Sequence, residues 1–323
     1  MNALRLGTRR SQLAMAQSRG VADEVTRLTG RPVELVEITT YGDVSRESLV
    51  SIGGTGVFVS ALRDALLAGE IDFAVHSLKD LPTSQPVELA LAAVPPRADP
   101  RDALVARDGL GFETLAMAGR ASGPARIGSG SPRRISQLNA WARSLGREIE
   151  MVPIRGNVDT RIGFVRSGEL DAVVLAAAGL RRLGRGAEIT DFLAPDTVLP
   201  APGQGALAVE CAASRPELVT QLARLDDPHT RIAVAAERTL LADLEAGCSA
   251  PVGAFADLLR DGQTFTELRL RGVVGTTDGA QLVQLSTTGP LPGSVDEAVA
   301  MGRQLADEML AKGAAGLMGE RAL

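Results

Sequence analysis

The chain carries an internal repeat, and that repeat limits its fold more than any single motif. Gly69-Glu70-Ile71-Asp72-Phe73-Ala74-Val75 is similar to Gly168-Glu169-Leu170-Asp171-Ala172-Val173-Val174, and the turn Leu6-Gly7-Thr8 is similar to Ile127-Gly128-Ser129. Two lobes on one plan follow. Strand-like runs, Leu4-Arg5-Leu6, Val33 to Ile38 and Ile71 to Val75, alternate with helical stretches marked by Leu13, Val21, Val25 and Leu28 and by Leu62, Leu66 and Leu67. This alternation predicts α/β layers on largely parallel sheets. Pro95-Pro96-Arg97-Ala98-Asp99-Pro100 reads as a crossover between the lobes, and Leu199-Pro200-Ala201-Pro202-Gly203 as the return. A chain that leaves one lobe, builds another and comes back has a double-stranded hinge, suited to a cleft that opens and closes. From Pro216 onward, helices and then alternating runs such as Leu268, Leu270 and Val273 predict a smaller α+β domain. The expected division is 1–96 with 201–215 for domain 1, 97–200 for domain 2 and 216–323 for domain 3.

Composition narrows what such a chain can do. A length of 323 residues exceeds one ordinary domain. No run of about twenty apolar residues occurs, and Arg5, Arg9, Arg10 and Arg19 interrupt the start, so a cytoplasmic protein is expected. A net charge of −5 and 3% aromatic residues argue against binding nucleic acid or an anionic membrane. Cys211 and Cys248 are the two cysteines, too few for a disulfide framework and without zinc-site spacing.

Any anion site must therefore be local, and basic and hydroxyl residues do fall on the predicted strand-end loops. They are Arg9, Arg10 and Ser11; Lys79; Ser129, Ser131, Arg133 and Arg134; Arg155 and Arg161; and Arg181 with Arg182. Loops at the carboxyl ends of parallel strands are where α/β proteins bind ligands. The arginine fork pairs bidentately with carboxylates, so the set suits a polycarboxylate ligand, although each arginine taken alone also fits a solvated surface charge. Asp80, beside Lys79, is either a structural salt bridge or cap, or an anion that stabilises a developing cation. His76 reads as a hydrogen-bonded structural residue. Cys211 ends an apolar strand and belongs in the core, whereas Cys248 lies in the turn Glu245-Ala246-Gly247-Cys248-Ser249-Ala250-Pro251, as a reactive thiol or a small hydrophobe.

Six segments together resemble one family. They are His76-Ser77-Leu78-Lys79-Asp80-Leu81-Pro82, Ser131-Pro132-Arg133-Arg134, Arg155-Gly156-Asn157-Val158-Asp159-Thr160-Arg161, Ala178-Gly179-Leu180-Arg181-Arg182-Leu183-Gly184, Pro202-Gly203-Gln204-Gly205-Ala206 and Glu245-Ala246-Gly247-Cys248. In this order they resemble the porphobilinogen deaminases (hydroxymethylbilane synthases) over about Leu4 to Pro251. The resemblance implies two periplasmic-binding-protein-like lobes and a small α+β C-terminal domain whose Cys248 holds a dipyrromethane cofactor by a thioether. It also implies the reaction. Porphobilinogen loses ammonia to give an azafulvene, the terminal pyrrole attacks it, and after four additions water releases hydroxymethylbilane for tetrapyrrole biosynthesis.

Carried onto matching positions, the resemblance makes Asp80 the catalytic carboxylate. Lys79, Asp80, Ser129, Ser131, Arg133 and Arg134 become cofactor contacts, and Arg9, Ser11, Arg155, Arg161, Arg182 and Gln204 substrate contacts. A monomer is expected, with no metal. This chain departs from many relatives in having Ser51 and Thr55, rather than lysines, in the glycine-rich segment before Phe58. Pro132 and Gly130 also differ from the commoner residues. The rival reading is a non-catalytic two-lobed binding module for a polycarboxylate anion.

Overall fold

The computed structural model describes residues 2–39, 56–244 and 250–318. In chain order the first lobe begins β1 (Leu4–Thr8), α1 (Gln12–Thr29), β2 (Val33–Glu37), α2 (Gly56–Leu67), β3 (Phe73–Ser77) and β4 (Leu89–Ala93). The second is β5 (Asp102–Ala106), α3 (Phe112–Ala118), β6 (Ala125–Gly128), α4 (Pro132–Ser144), β7 (Ile149–Val152), α5 (Val158–Arg166), β8 (Ala172–Ala176), α6 (Ala177–Arg182) and β9 (Asp191–Leu193). The chain then forms β10 (Leu207–Ala212), α7 (Pro216–Leu222), α8 (Pro228–Asp243), β11 (Val252–Asp261), β12 (Thr264–Gly275), β13 (Leu282–Pro290) and α9 (Val295–Ala311).

Two five-stranded sheets share one topology. Their strand orders are β2-β1-β3-β10-β4 and β7-β6-β8-β5-β9. In each, three parallel strands are joined through one antiparallel strand, β10 or β5, to an edge strand. The expected largely parallel sheets are therefore mixed sheets with one reversed strand. That reversal follows from the crossovers, because β10 is the returning chain and enters the first sheet from the opposite end.

The repeat is matched bond for bond. Arg5 N–H donates to Asp72 Oδ2 at 2.7 Å, and Arg126 N–H donates to Asp171 Oδ2 at 2.7 Å. Each acid thereby ties the start of the central strand to the start of its neighbour. Gly7 and Gly128 are also equivalent. A Cβ on Gly7 would lie 2.2 Å from Ile71 Cδ1, and one on Gly128 would lie 2.6 Å from Leu170 Cδ1, so in each lobe the apolar residue just before the neighbouring strand packs onto a residue without a side chain.

Contacts divide the chain into two compact units, Met1–Ala98 with Gly205–Arg231 and Asp99–Gln204 with Ile232–Leu323. The first unit's core brings Leu4, Leu6, Val21, Val25, Phe73 and Val209 together. Leu218, Leu222 and Leu225, at and just after α7, pack into this same core. In the second unit, one core lies between α3, α4 and the second sheet, around Phe112 stacked on Trp141 at 4.2 Å. A separate core of Leu240, Leu244, Leu268, Leu270, Leu305 and Met309 joins α8 and α9 to the antiparallel sheet β11-β12-β13. This is the α+β layer expected near the end of the chain. Among the described residues no helix is long and apolar enough to cross a membrane.

Candidate active site

Each lobe carries its expected residues at the carboxyl ends of its parallel strands. In the first, β1 runs through buried Thr8 into Arg9, and Ser11 opens α1. Ser11 Oγ accepts from Ala14 N–H at 3.3 Å, so this hydroxyl caps the helix and keeps its own hydrogen to donate. Thr8 Oγ1 accepts from Ser18 Oγ at 2.8 Å. β3 ends at Ser77, whose Oγ accepts from Gln17 Nε2 at 2.9 Å, and gives way to one 3-10 turn, Leu78–Asp80. Fully buried Leu78 anchors that turn, leaving Lys79 and Asp80 half-buried. The Asp80 carboxylate forms no ion pair with another described residue.

Within the sheet behind this turn lies a buried acid. Glu210 of β10 takes Arg63 Nη2 at 2.8 Å and Nε at 3.1 Å and Gln85 Nε2 at 3.2 Å, and His76 Nε2 lies 3.1 Å from its Oε2. Burial alone would raise the Glu210 pKa. The close contact of His76 and the bonds from Arg63 outweigh it and bring the value down to about 2. His76 is thus packed against Glu210 inside the sheet, although its buried Nε2 makes no hydrogen bond of good geometry, unlike the hydrogen-bonded residue expected.

In the second lobe β6 runs into Ser129, fully buried, whose Oγ accepts from Ser131 N–H at 3.2 Å. Ser131 precedes α4. Pro132 takes the first helical turn, where its missing N–H is no loss, and Arg133 and Arg134 follow. Both arginines are buried, at 3% and 5% exposure, against Asp102, the fully buried first residue of β5. Arg133 Nη1 donates to Asp102 Oδ2 at 2.7 Å and to Leu199 O at 2.5 Å. Arg134 donates to Asp102 Oδ1 through Nε at 2.9 Å and Nη2 at 2.7 Å, and to Val174 O through Nη1 at 2.9 Å. Gln204, expected as a ligand contact, turns its Nε2 to Asp102 Oδ1 at 2.9 Å and to Pro100 O at 2.8 Å. Burial by itself would raise the Asp102 pKa, yet the charges of Arg133 and Arg134 hold it well below the usual carboxylate range.

Arg161, in α5, donates from Nε to Gly156 O at 2.9 Å. Its pKa is lowered by burial first, then by the charges of Arg134 and Arg155. Arg161 has no carboxylate partner among the described residues. Asp102 is thus the internal anion of Arg133 and Arg134, and Arg161, which feels the charges of Arg134 and Arg155, adds a further cation to that neighbourhood. Arg182, at the end of α6, is likewise lowered by burial.

Cys211 is fully buried in the first lobe's core, and burial pushes its thiol up to about 11. Cys248, Ser51 and Thr55 lie outside the described residues. Sequence reading missed Asp102 and Glu210. The signal was available in kind, one acid in an otherwise apolar strand, Asp102-Ala103-Leu104-Val105-Ala106 and Leu207-Ala208-Val209-Glu210-Cys211, since a charge buried there demands partners.

Fold and site together define a two-lobed α/β protein whose second lobe gathers buried guanidiniums around one internal carboxylate. The residues 4–220 match the family model described as "Porphobilinogen deaminase, dipyromethane cofactor binding domain", and 231–311 match "Porphobilinogen deaminase, C-terminal domain". The chain belongs to the porphobilinogen deaminase family, and it is an enzyme with a dipyrromethane-binding domain. It is 75% identical over 319 residues to "Porphobilinogen deaminase 1" of Streptomyces avermitilis, covering 99% of this chain and 98% of that protein. The corresponding protein of Streptomyces coelicolor is 72% identical over 99% of this chain and 98% of its own length. "Porphobilinogen deaminase" of Thermobifida fusca is 56% identical over 96% and 94%.

Proposed function

We propose that this chain condenses porphobilinogen units head to tail on a dipyrromethane bonded to Cys248 and releases hydroxymethylbilane, with Asp80 as its catalytic carboxylate. The observation that carries the reading is the half-buried Asp80 at the end of β3, held on a turn anchored by Leu78 and left out of every ion pair with described residues. An acid committed to a salt bridge would not be available to a reacting pyrrole.

The donor set fits the cofactor. Each pyrrole ring brings an acetate and a propionate, and the second lobe supplies the buried Arg133 and Arg134 and the half-buried Arg161 and Arg182. Arg161 and Arg155, with Arg133, Arg134 and Arg182, would take those carboxylates, helped by Ser129 and Ser131 in the β6 turn. In the first lobe Arg9, Ser11 and Lys79 would take others, and Lys79 would bring a cofactor carboxylate beside Asp80. Gln204 supports this set through Asp102. When bound, dipyrromethane supplies the free pyrrole carbon onto which new units are added.

The carboxylate oxygens of Asp80 accept hydrogen bonds from pyrrole N–H groups and stabilise the positive charge that develops as ammonia leaves porphobilinogen. The amine departs in its protonated form, taking the carbon–nitrogen bonding electrons with it as ammonia, and the carboxylate assists by pairing with the cation left on the pyrrole. The arginines neutralise carboxylates that would otherwise accumulate as the product lengthens. We further read the chain as a cytoplasmic monomer that binds neither nucleic acid nor membrane, and its α+β layer as the domain that carries Cys248.

Intact mass tests the reading. Protein made in cells able to supply porphobilinogen should weigh more than its amino acids by one dipyrromethane. Cys248→Ser should lack that mass, while Cys211→Ser should keep it. A bare wild-type chain that leaves porphobilinogen unconsumed would return the protein to the class of simple anion-binding modules.

A further inference from the structure

The Asp102 carboxylate is the most heavily engaged acid of the second lobe's candidate site. It accepts four N–H bonds from three side chains, namely Arg133 Nη1, Arg134 Nε, Arg134 Nη2 and Gln204 Nε2. An ionised carboxylate has about four acceptor positions, so its capacity is filled. The two guanidiniums it holds belong to adjacent residues in the first turn of α4, where the positive end of the helix disfavours cations. Asp102 therefore overcomes both mutual repulsion and an unfavourable helix end.

Two further features make this more than charge balance. Arg133 Nε is buried with no hydrogen-bond partner, so the arrangement gives up one donor in order to hold the guanidinium by its Nη1 end. A buried donor left unmet is uncommon where structure alone is being served. Secondly, the same cluster gathers backbone from both crossover segments. Gln204 binds Pro100 O as well as Asp102, and Arg133 binds Leu199 O as well as Asp102, while Gln137 brackets Leu199 through Nε2 at 3.0 Å and Oε1 at 2.7 Å. The position of the arginine pair is thus registered against the segments by which the chain enters and leaves this lobe.

We propose that Asp102 is a positioning residue for cofactor capture, orienting the Arg133 and Arg134 guanidiniums and setting their net charge while touching no ligand itself. The inference rests on the reading that the chain takes up dipyrromethane. Its test uses full-length protein produced without porphobilinogen and then supplied with porphobilinogen or hydroxymethylbilane. Intact mass follows the gain of the adduct with time, and circular dichroism and thermal melting report whether each variant is folded.

Asp102→Asn keeps the shape and removes the charge; Asp102→Glu keeps the charge and displaces the oxygens by one methylene. Both should load about 10- to 100-fold more slowly than wild type, the effect expected when charge-assisted bonds are misaligned. In the fraction that does load, KM for porphobilinogen should rise more than kcat falls. Wild-type loading by folded Asp102→Asn and Asp102→Glu overturns the proposal, and wild-type loading by Asp102→Glu alone reduces Asp102 to a counter-charge and overturns its positioning role. Should Asp102→Asn fail to fold, Asp102→Glu decides. A wild-type chain that gains no mass overturns the underlying reading instead, so the two failures are told apart.

Discussion

The two lobes share a backbone plan and differ in where they bury charge. At the starts of their strands the match is close: Asp72 takes Arg5 N–H with Arg5 and Arg215 side chains, and Asp171 takes Arg126 N–H with Arg107 at 2.8 Å and Arg120 at 2.6 Å. On the reversed strand the match ends. Glu210 lies opposite Ala74, inside β3, whereas Asp102 lies opposite Ala176, the last residue of β8. Ala74 corresponds to Val173 in the repeat, so the second lobe's acid sits nearer the carboxyl end of the sheet, beside the strand-end loops. Glu210 serves the interior of its sheet, and Asp102 serves an arginine site. A duplicated scaffold thus preserves the bonds that close the sheet and leaves the charges on the reversed strand to be placed separately.

The largest expected effect separates the catalytic role proposed for Asp80 in the first lobe from the binding role proposed for the second. Asp80→Glu should lower turnover by about 100-fold or more, because an added methylene moves the carboxylate off the pyrrole nitrogens, and it should leave the covalent adduct in place. Single-turnover kinetics with intact mass on the same sample checks this. Loss of the adduct with unchanged turnover in the loaded fraction would erase the distinction between the lobes.

Next is the acid limb of stability. Glu210 has a folded pKa of about 2 against an ordinary 4.5, so its contribution is fully present above the unfolded value and is lost as pH falls from 4.5 toward 2. That shift corresponds to roughly 3 kcal/mol. Glu210→Gln should remove this part of the pH dependence, measured by urea unfolding across pH 2 to 6. An unchanged acid limb would mean that the Arg63–His76–Glu210 cluster does not hold the first sheet together.

The smallest effect tests the repeat itself. Gly7→Ala and Gly128→Ala both drive a methyl into the matching Ile71 and Leu170 side chains, and each should destabilise by about 1–3 kcal/mol in denaturant unfolding. A loss confined to one lobe would show that the similarity of Leu6-Gly7-Thr8 to Ile127-Gly128-Ser129 does not extend to packing.

Much of this is legible in the sequence itself. The helical stretch marked by Leu13, Val21, Val25 and Leu28 is α1, which Ser11 caps and Gly30 ends in the left-handed conformation. The strand-end loops are legible too, since hydroxyl and basic residues cluster just after apolar runs. What stays hidden is the partnership of those residues. Arg133 and Arg134 read as ligand-gripping side chains, and the structure shows them gripping Asp102. Gln204 reads as a ligand contact and proves to brace the same acid. Pairing partners separated by 31 and 32 residues leave no local pattern.

The sequence alone determined the duplicated α/β plan, the strand-end position of Asp80 and the family, because these rest on periodicity and on short contiguous motifs. Tertiary structure alone decided which cations are neutralised internally and which carry leftover charge. That outcome depends on a carboxylate delivered by a reversed strand to arginines on a distant helix start, and on the burial that makes their mutual field strong.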